Sequence, residues 1–247
     1  MKYLGGKFRT ADKISSYMNS VIGKNQPYWE PFVGAAWVLR RISADERYAS
    51  DINHYLIALW LAIQDGWKPP SDVTNEEYDN IKANIENYPP ELVAFVGFAT
   101  SWGGKWFGGF ARDPNSDRNY AREGMFSLLR AVPYIKTAQF FTADFLVTKP
   151  PKDNMLIYCD PPYENTTKYD FAPSFKHDKF WDRVRDLEGC GHNVIVSEYV
   201  APDDFTCVLE MPTKTDLGVK GGVKDQRVEK LFSLSPLKER VKQLSLF

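Results

Sequence analysis

The sequence predicts an α/β protein built on an open, mostly parallel sheet with a helical segment set into it. Three observations carry this: a βαβα opening, a continuous apolar run at Met155–Cys159, and a stretch from 66 to 136 in which strand signals vanish. The first strand is read at Pro27 to Val33. A Gly34-Ala35-Ala36 turn follows, and Trp37 to Ile42 opens a helix. Arg47 to Asp51 reads as a second short strand ending on an acid, and Asn53 to Ile63 as an apolar-rich helix.

Helix signals dominate the middle. Thr74 with Glu77 three residues on has the capping-box pattern. Pro89-Pro90 opens a helix through Thr100, and Arg118 to Ala131 reads as a third. Strands resume at Thr137–Phe141, Met155–Cys159, Asn193–Glu198, Phe205–Glu210 and Arg227–Leu234. A helix at His177–Leu187, ended by Gly189, lies between two of them. Met155–Cys159 is apolar throughout, the pattern of a central parallel strand buried on both faces, and Asp160 stands at its end. Ligands of such sheets bind beyond the carboxyl ends of the strands, where Asp51, Asp160 and the turn at Gly34 all fall.

At 247 residues and 43% hydrophobic, the chain is long enough for one catalytic core and a smaller unit. It contains no apolar run of about 18 residues that would span a bilayer, and Met1–Lys7 lacks the apolar stretch of a secretory signal. The expectation is a cytoplasmic protein, monomeric or weakly dimeric. Cys159, Cys190 and Cys207 share no metal or disulfide spacing and are read as reduced core thiols. His54, His177 and His192 are scattered and read as surface or cap residues, so no metal is expected.

The net charge of −1 conceals an uneven distribution. Residues 1–24 hold five basic residues against one acid, 101–136 six against three, and 212–242 eight against four, while 64–93 holds two against seven. Such segments suit a phosphate-facing groove as well as ordinary solvated faces.

Asp160-Pro161-Pro162-Tyr163 is the segment with the most chemistry in it. An aromatic amine is a poor nucleophile because its lone pair is delocalised into the ring. A carboxylate and a backbone carbonyl that accept both amino hydrogens hold the nitrogen closer to tetrahedral and aim its lone pair. Asp160 and the Pro161 carbonyl are candidates for those acceptors. The prolines add no N–H that would compete for them, and Tyr163 offers a face on which an extruded base can stack. The alternative is a Pro-Pro turn whose Asp caps a helix and whose Tyr packs. The polar loop Glu164–Tyr169 is able to close over a substrate.

With these residues the chain resembles the adenine-specific DNA methyltransferase family that includes the bacterial Dam methylase and its phage relatives. Tyr3-Leu4-Gly5-Gly6-Lys7 resembles the family's aromatic-x-Gly-Gly-Lys segment, which implies that Tyr3 and Lys7 approach the cofactor S-adenosylmethionine. Glu30–Ala36 resembles the Pro-Phe-x-Gly-x-Gly cofactor turn, with Phe32 and Gly34 in place and Ala36 where the last glycine usually stands. Alanine disfavours positive φ, so this is a departure. Asp51 resembles the acid that accepts from the cofactor ribose, and Ala143-Asp144-Phe145 the segment that contacts its adenine. Val194–Tyr199 resembles the strand bordering the target base.

The resemblance implies a Rossmann-like S-adenosylmethionine-dependent methyltransferase sheet, formed by 1–65 and 137–247, with 66–136 as an inserted helical target-recognition domain. It implies transfer to the 6-amino group of an adenine flipped out of double-stranded DNA, with S-adenosylhomocysteine as product. Similar Asn/Asp-Pro-Pro-Tyr loops also serve methylation of RNA bases or of protein glutamine amides. A non-catalytic DNA reader on the same fold is a further alternative.

The segment Ser101–Arg112 mixes glycines with Trp102, Trp106, Phe107 and Phe110 and with Lys105 and Arg112. The aromatics read first as packing and the two cations as phosphate contacts. Asn115, Arg118, Asn119, Tyr120 and Arg122 form a second candidate DNA-facing cluster, and Lys220 belongs to a basic loop at Pro212–Gln226.

Overall fold

The computed structural model describes residues 1–113, 115–163, 175–212 and 228–234. The strands are β1 (Tyr28–Glu30), β2 (Arg47–Asp51), β3 (Gln139–Thr142), β4 (Leu156–Cys159), β5 (Asn193–Glu198), β6 (Thr206–Pro212) and β7 (Val228–Ser233). They form one seven-stranded sheet in the order β3-β2-β1-β4-β5-β7-β6. The β3 to β5 side is parallel, and β7 runs antiparallel between β5 and β6. The direction of strand succession reverses between β1 and β4, which opens a crevice beyond their carboxyl ends. The expected mixed α/β, Rossmann-like sheet is therefore present.

Among the described residues the helices are α1 (Ala11–Val21), α2 (His54–Gln64), α3 (Asn75–Ala83), α4 (Pro90–Ala99), α5 (Tyr120–Leu129), α6 (Val132–Ile135) and α7 (His177–Gly189). The Asn53 side chain caps α2 by accepting from the amides of Tyr55 and Leu56. Thr74 and Glu77 form the anticipated capping box at α3, and Pro90 starts α4. Helix α4 is buried along most of its length, with Val93, Ala94, Phe95 and Val96 at 0% exposure. These side chains share one apolar cluster with Leu56 and Trp60 of α2 and Tyr28 and Leu156 of the sheet. Residues from the 66–136 stretch thus add directly to the core that supports the strands.

Several local expectations need correction. Helix α1 is absent from the sequence-based assignment, although Ala11, Ile14, Met18 and Val21 keep helical spacing and are buried. Its N-cap is Thr10, a residue type that favours helix starts, although the side chain makes no capping bond here. The expected helix at Trp37–Ile42 is only a 3₁₀ turn, Leu39–Arg41. Gly189 is the last residue of α7, and the left-handed glycine after it is Gly191, at φ 91°. Of the cysteines only Cys159 is in the core, while Cys190 and Cys207 are exposed thiols. His192 is neither surface nor cap: it is buried, and its Nδ1 accepts from the Met155 amide at 3.2 Å.

Candidate active site

The crevice is a cavity of about 400 Å³, within the range of small-molecule sites. Tyr3, Lys7, Phe32, Gly34, Asp51, Asp144, Phe145, Asp160 and Pro162 line it together. The parallel strands deliver all but Tyr3 and Lys7 by their carboxyl ends, and the N-terminal segment before α1 brings those two to the same edge.

The turn after β1 is fastened on three sides. Trp60 donates its indole N–H to the Gly34 carbonyl at 2.9 Å, the Gly34 amide donates to Asp51 at 3.2 Å, and Val33 donates to the Ser50 carbonyl at 2.9 Å. Gly34 has φ 45°, and a Cβ there would stand 3.0 Å from the Tyr3 ring, so both conformation and space call for glycine. Ala36 is also left-handed, at φ 54°, so the alanine adopts the conformation that the family's glycine would take without cost.

Asp51 is buried, and its two oxygens accept from the Gly34 and Asn53 amides. Burial pushes its carboxyl up to about 6, with these amides opposing the rise. The remaining lone pairs of the carboxylate are suited to ribose hydroxyls. Phe32 packs against Phe145, with ring centres 5.2 Å apart, and forms an apolar wall with Phe175 and Phe180. Asp144 is exposed at the mouth, and one of its oxygens accepts from the Leu146 amide. A buried acid, an apolar aromatic wall and a glycine turn are a donor and acceptor set that fits a nucleoside such as S-adenosylmethionine carries.

Asp160 directly follows β4, beside the buried Glu30 that ends β1. Glu30 accepts from the Tyr28 hydroxyl at 3.1 Å, and burial raises its carboxyl well above the usual range. Lys7 places its ammonium 2.7 Å from Asp160 and 3.2 Å from Glu229. Burial pushes Asp160 up to about 6, with the Lys7 charge pulling it down and Glu229 pushing it up. Tyr163 lies under the Lys7 ammonium, 4.5 Å from ring centre, and donates its hydroxyl to Glu229 at 2.7 Å. Glu229 was not among the sequence candidates: β7 brings it to Lys7 from the far end of the described chain, and no local pattern marks it.

The N-terminal segment that carries Lys7 rests on the Gly-aromatic segment. The Leu4 amide donates to the Gly104 carbonyl, and a Cβ on Gly104 would meet the Tyr3 amide nitrogen at 2.5 Å. Phe107 is buried there, while Trp106 and Phe110 are partly buried against the core, as packing requires. Trp102 is 64% exposed and departs from that expectation.

The residues expected to face DNA divide. Lys105 is exposed and lines the cavity. Arg112 is exposed above the Phe110 ring. Arg118 forks onto Glu123, and Asn119 caps α5 through the Arg122 amide while its own amide group donates to Asp72. The Tyr120 ring lies under both Lys2 and Arg118, and Arg122 is exposed. None of these last four lines the cavity. Lys220 and the loops Glu164–Tyr169 and 213–226 lie outside the described residues. Among the described residues no His, Cys, Asp and Glu cluster could hold a metal, and no helix is long and apolar enough to cross a membrane.

A mixed sheet of this strand order with a cavity at the switch point defines the class of the fold as Rossmann-like α/β. Residues 3–94 match the model of the family described as D12 class N6 adenine-specific DNA methyltransferase, and over that stretch the chain is similar to that family. The matched stretch includes Tyr3–Lys7, Glu30–Ala36 and Asp51, and so agrees with the resemblance carried by those motifs. It supports methyl transfer as the kind of activity and S-adenosylmethionine as the methyl source. No curated protein matches the chain. Among solved structures, the rRNA methyltransferase aviRa from Streptomyces viridochromogenes is 12% identical with a TM-score of 0.47, over 96% of this chain and 89% of that one. The putative methyltransferase yhhF from Escherichia coli is 10% identical with a TM-score of 0.39, over 94% and 88%. SMU.472, a putative methyltransferase complexed with SAH, is 9% identical with a TM-score of 0.39, over 93% and 54%. Likenesses this distant carry no argument about substrate.

Proposed function

We propose that the protein transfers a methyl group from S-adenosylmethionine to the 6-amino group of an adenine flipped out of double-stranded DNA. The observation that supports this best is Asp160, at the end of a buried parallel strand, in one cavity with Asp51, Gly34 and Tyr3. S-adenosylmethionine supplies a methyl group on a sulfonium, which needs only an aimed nucleophile. Asp51 accepts from its ribose hydroxyls, Asp144 from its adenine amino group, and Tyr3, Phe32 and Phe145 pack against it. Lys7 approaches the same cofactor from the side of Asp160.

The Asp160 carboxylate and the Pro161 carbonyl accept the two hydrogens of the target amine and draw its lone pair out of the ring. Pro162 stiffens the loop, and Tyr163 presents an aromatic face to the base. In this reading, 66–136 recognises the target, with Lys105, Arg112, Arg118, Asn119, Tyr120, Arg122 and Lys220 toward DNA. Extruding the base costs a few kcal/mol, which contacts along the duplex offset.

The test is transfer of labelled methyl from S-adenosylmethionine to unmethylated DNA of mixed sequence, followed by digestion to nucleosides. Label in 6-methyladenine is the expected result. Label found in RNA or in protein amides, with none in DNA, overturns the substrate assignment.

A further inference from the structure

Glu229 is a buried acid beside the Asp160 loop with no part in the chemistry above. It stands on β7, where Glu229 and Leu231 are buried and Lys230 between them is only half-buried, so its side chain is turned inward. A carboxylate in such a place is costly unless donors and a counter-charge surround it. Glu229 has both: the Tyr163 hydroxyl at 2.7 Å and the Lys7 ammonium at 3.2 Å. The same ammonium is 2.7 Å from Asp160 and lies over the Tyr163 ring. One lysine is therefore divided between two carboxylates, and the Tyr163 hydroxyl that bonds Glu229 also acts on Asp160.

We propose that Glu229 is a positioning residue for methyl transfer, acting through Lys7 and Tyr163 on the acceptor Asp160. This rests on the methyl-transfer reading of the Asp160 loop. With Lys7 paired to Asp160 alone, the full attraction of the ammonium would hold the carboxylate that the incoming amine must reach. Glu229 takes part of that attraction, so that Asp160 can turn a hydrogen-bonding oxygen to the base. Through the Tyr163 hydroxyl it also fixes the rotation of the ring against which the base lies. The gain comes from alignment at the reacting nitrogen, where small displacements are costly.

Glu229→Gln keeps the size and an oxygen for the Tyr163 hydroxyl while removing the charge. The expected result is a fall in the single-turnover rate on DNA of about 10- to 100-fold, with KM for DNA, binding of S-adenosylhomocysteine and the unfolding midpoint near wild type. Tyr163→Phe removes the hydroxyl alone and leaves Glu229 intact. The double variant is expected to lose less than the product of the two single losses, because the Glu229 charge strengthens the hydrogen bond that the Tyr163 hydroxyl makes, so each change weakens the same contact. A Glu229→Gln rate within about twofold of wild type overturns the proposal, as do single losses that simply multiply. So does a parallel loss of cofactor binding and thermal stability, the mark of a purely structural residue. The wild-type enzyme run alongside separates the failures. If it methylates neither DNA, RNA nor protein amides, the methyl-transfer reading falls and this proposal with it; if it is active and the variant matches it, only the role of Glu229 falls.

Discussion

The floor of the cavity and the basic surface around residues 105–122 are held by opposite means. On the floor, Asp51 engages amides from two different turns, and Lys7 joins the N-terminal segment to β7 through Glu229 and to the loop after β4 through Asp160. On the surface, Arg118 pairs with Glu123 only five residues away, while Asn119 caps the helix that follows it and reaches Asp72 with its amide group. Long-range restraint is what a reacting geometry needs, because each partner is fixed by an independent element. Local pairing leaves a side chain exposed and able to exchange its partner for a phosphate, at little cost to the fold.

The largest expected effect lies on the floor. Asp160→Ala should lower methyl transfer by about 10³-fold or more while cofactor affinity stays close to wild type. Undiminished turnover in a filter or nucleoside assay would remove Asp160 from the chemistry and leave the cavity floor no more critical than the surface.

A pH profile gives the next. Asp160, pushed up to about 6 by burial, must be ionised to accept the amine hydrogens. The transfer rate should rise about tenfold per pH unit below that value and level above it. Stability should move the other way. A carboxyl raised in the folded state keeps its proton there after the unfolded chain has lost it, so Asp51 and Asp160 contribute a stability loss as pH rises from about 4 to about 6. A rate that is flat across this range sinks the ionisation requirement.

The smallest effect belongs to the surface. Arg118→Ala should leave folding stability close to wild type, since its ion pair is exposed. It should weaken DNA binding and reduce the salt slope of the affinity by about 1 with kcat unaltered. An unchanged slope takes Arg118 off the DNA.

Strands that are buried on both faces or end on an acid were legible from sequence: Arg47–Asp51 and Asn193–Glu198 stand where their patterns put them. So were the capping box at Thr74 and the proline start of α4, because each depends on neighbours in the chain. Helix α1 was passed over although Thr10 at its start and the regular spacing of Ala11, Ile14, Met18 and Val21 both mark it. Cavity residues were found where they sit in short motifs at strand ends. Glu229 could not be found this way, as its role arises from the antiparallel pairing of β7 with β5 and from a lysine more than two hundred residues away. The positive φ of Ala36 was the reverse case: a local preference overruled by a turn pinned at Gly34.

The strand order also bears on the sequence of events during folding. β1 pairs with β2 and, across more than a hundred residues, with β4, as Tyr28 faces both Arg47 and Leu156. β1 and β2 with helix α2 can assemble early, β3 joins them from Phe141 opposite Ser50 to complete the nucleoside-facing half, and the catalytic loop gains its partners only after β4 docks and β7 slots in between β5 and β6. Contacts of such separation are slow to close. A refolding chain should therefore recover cofactor binding before it recovers turnover, and the interval between the two measures how long the last strands take to find their places.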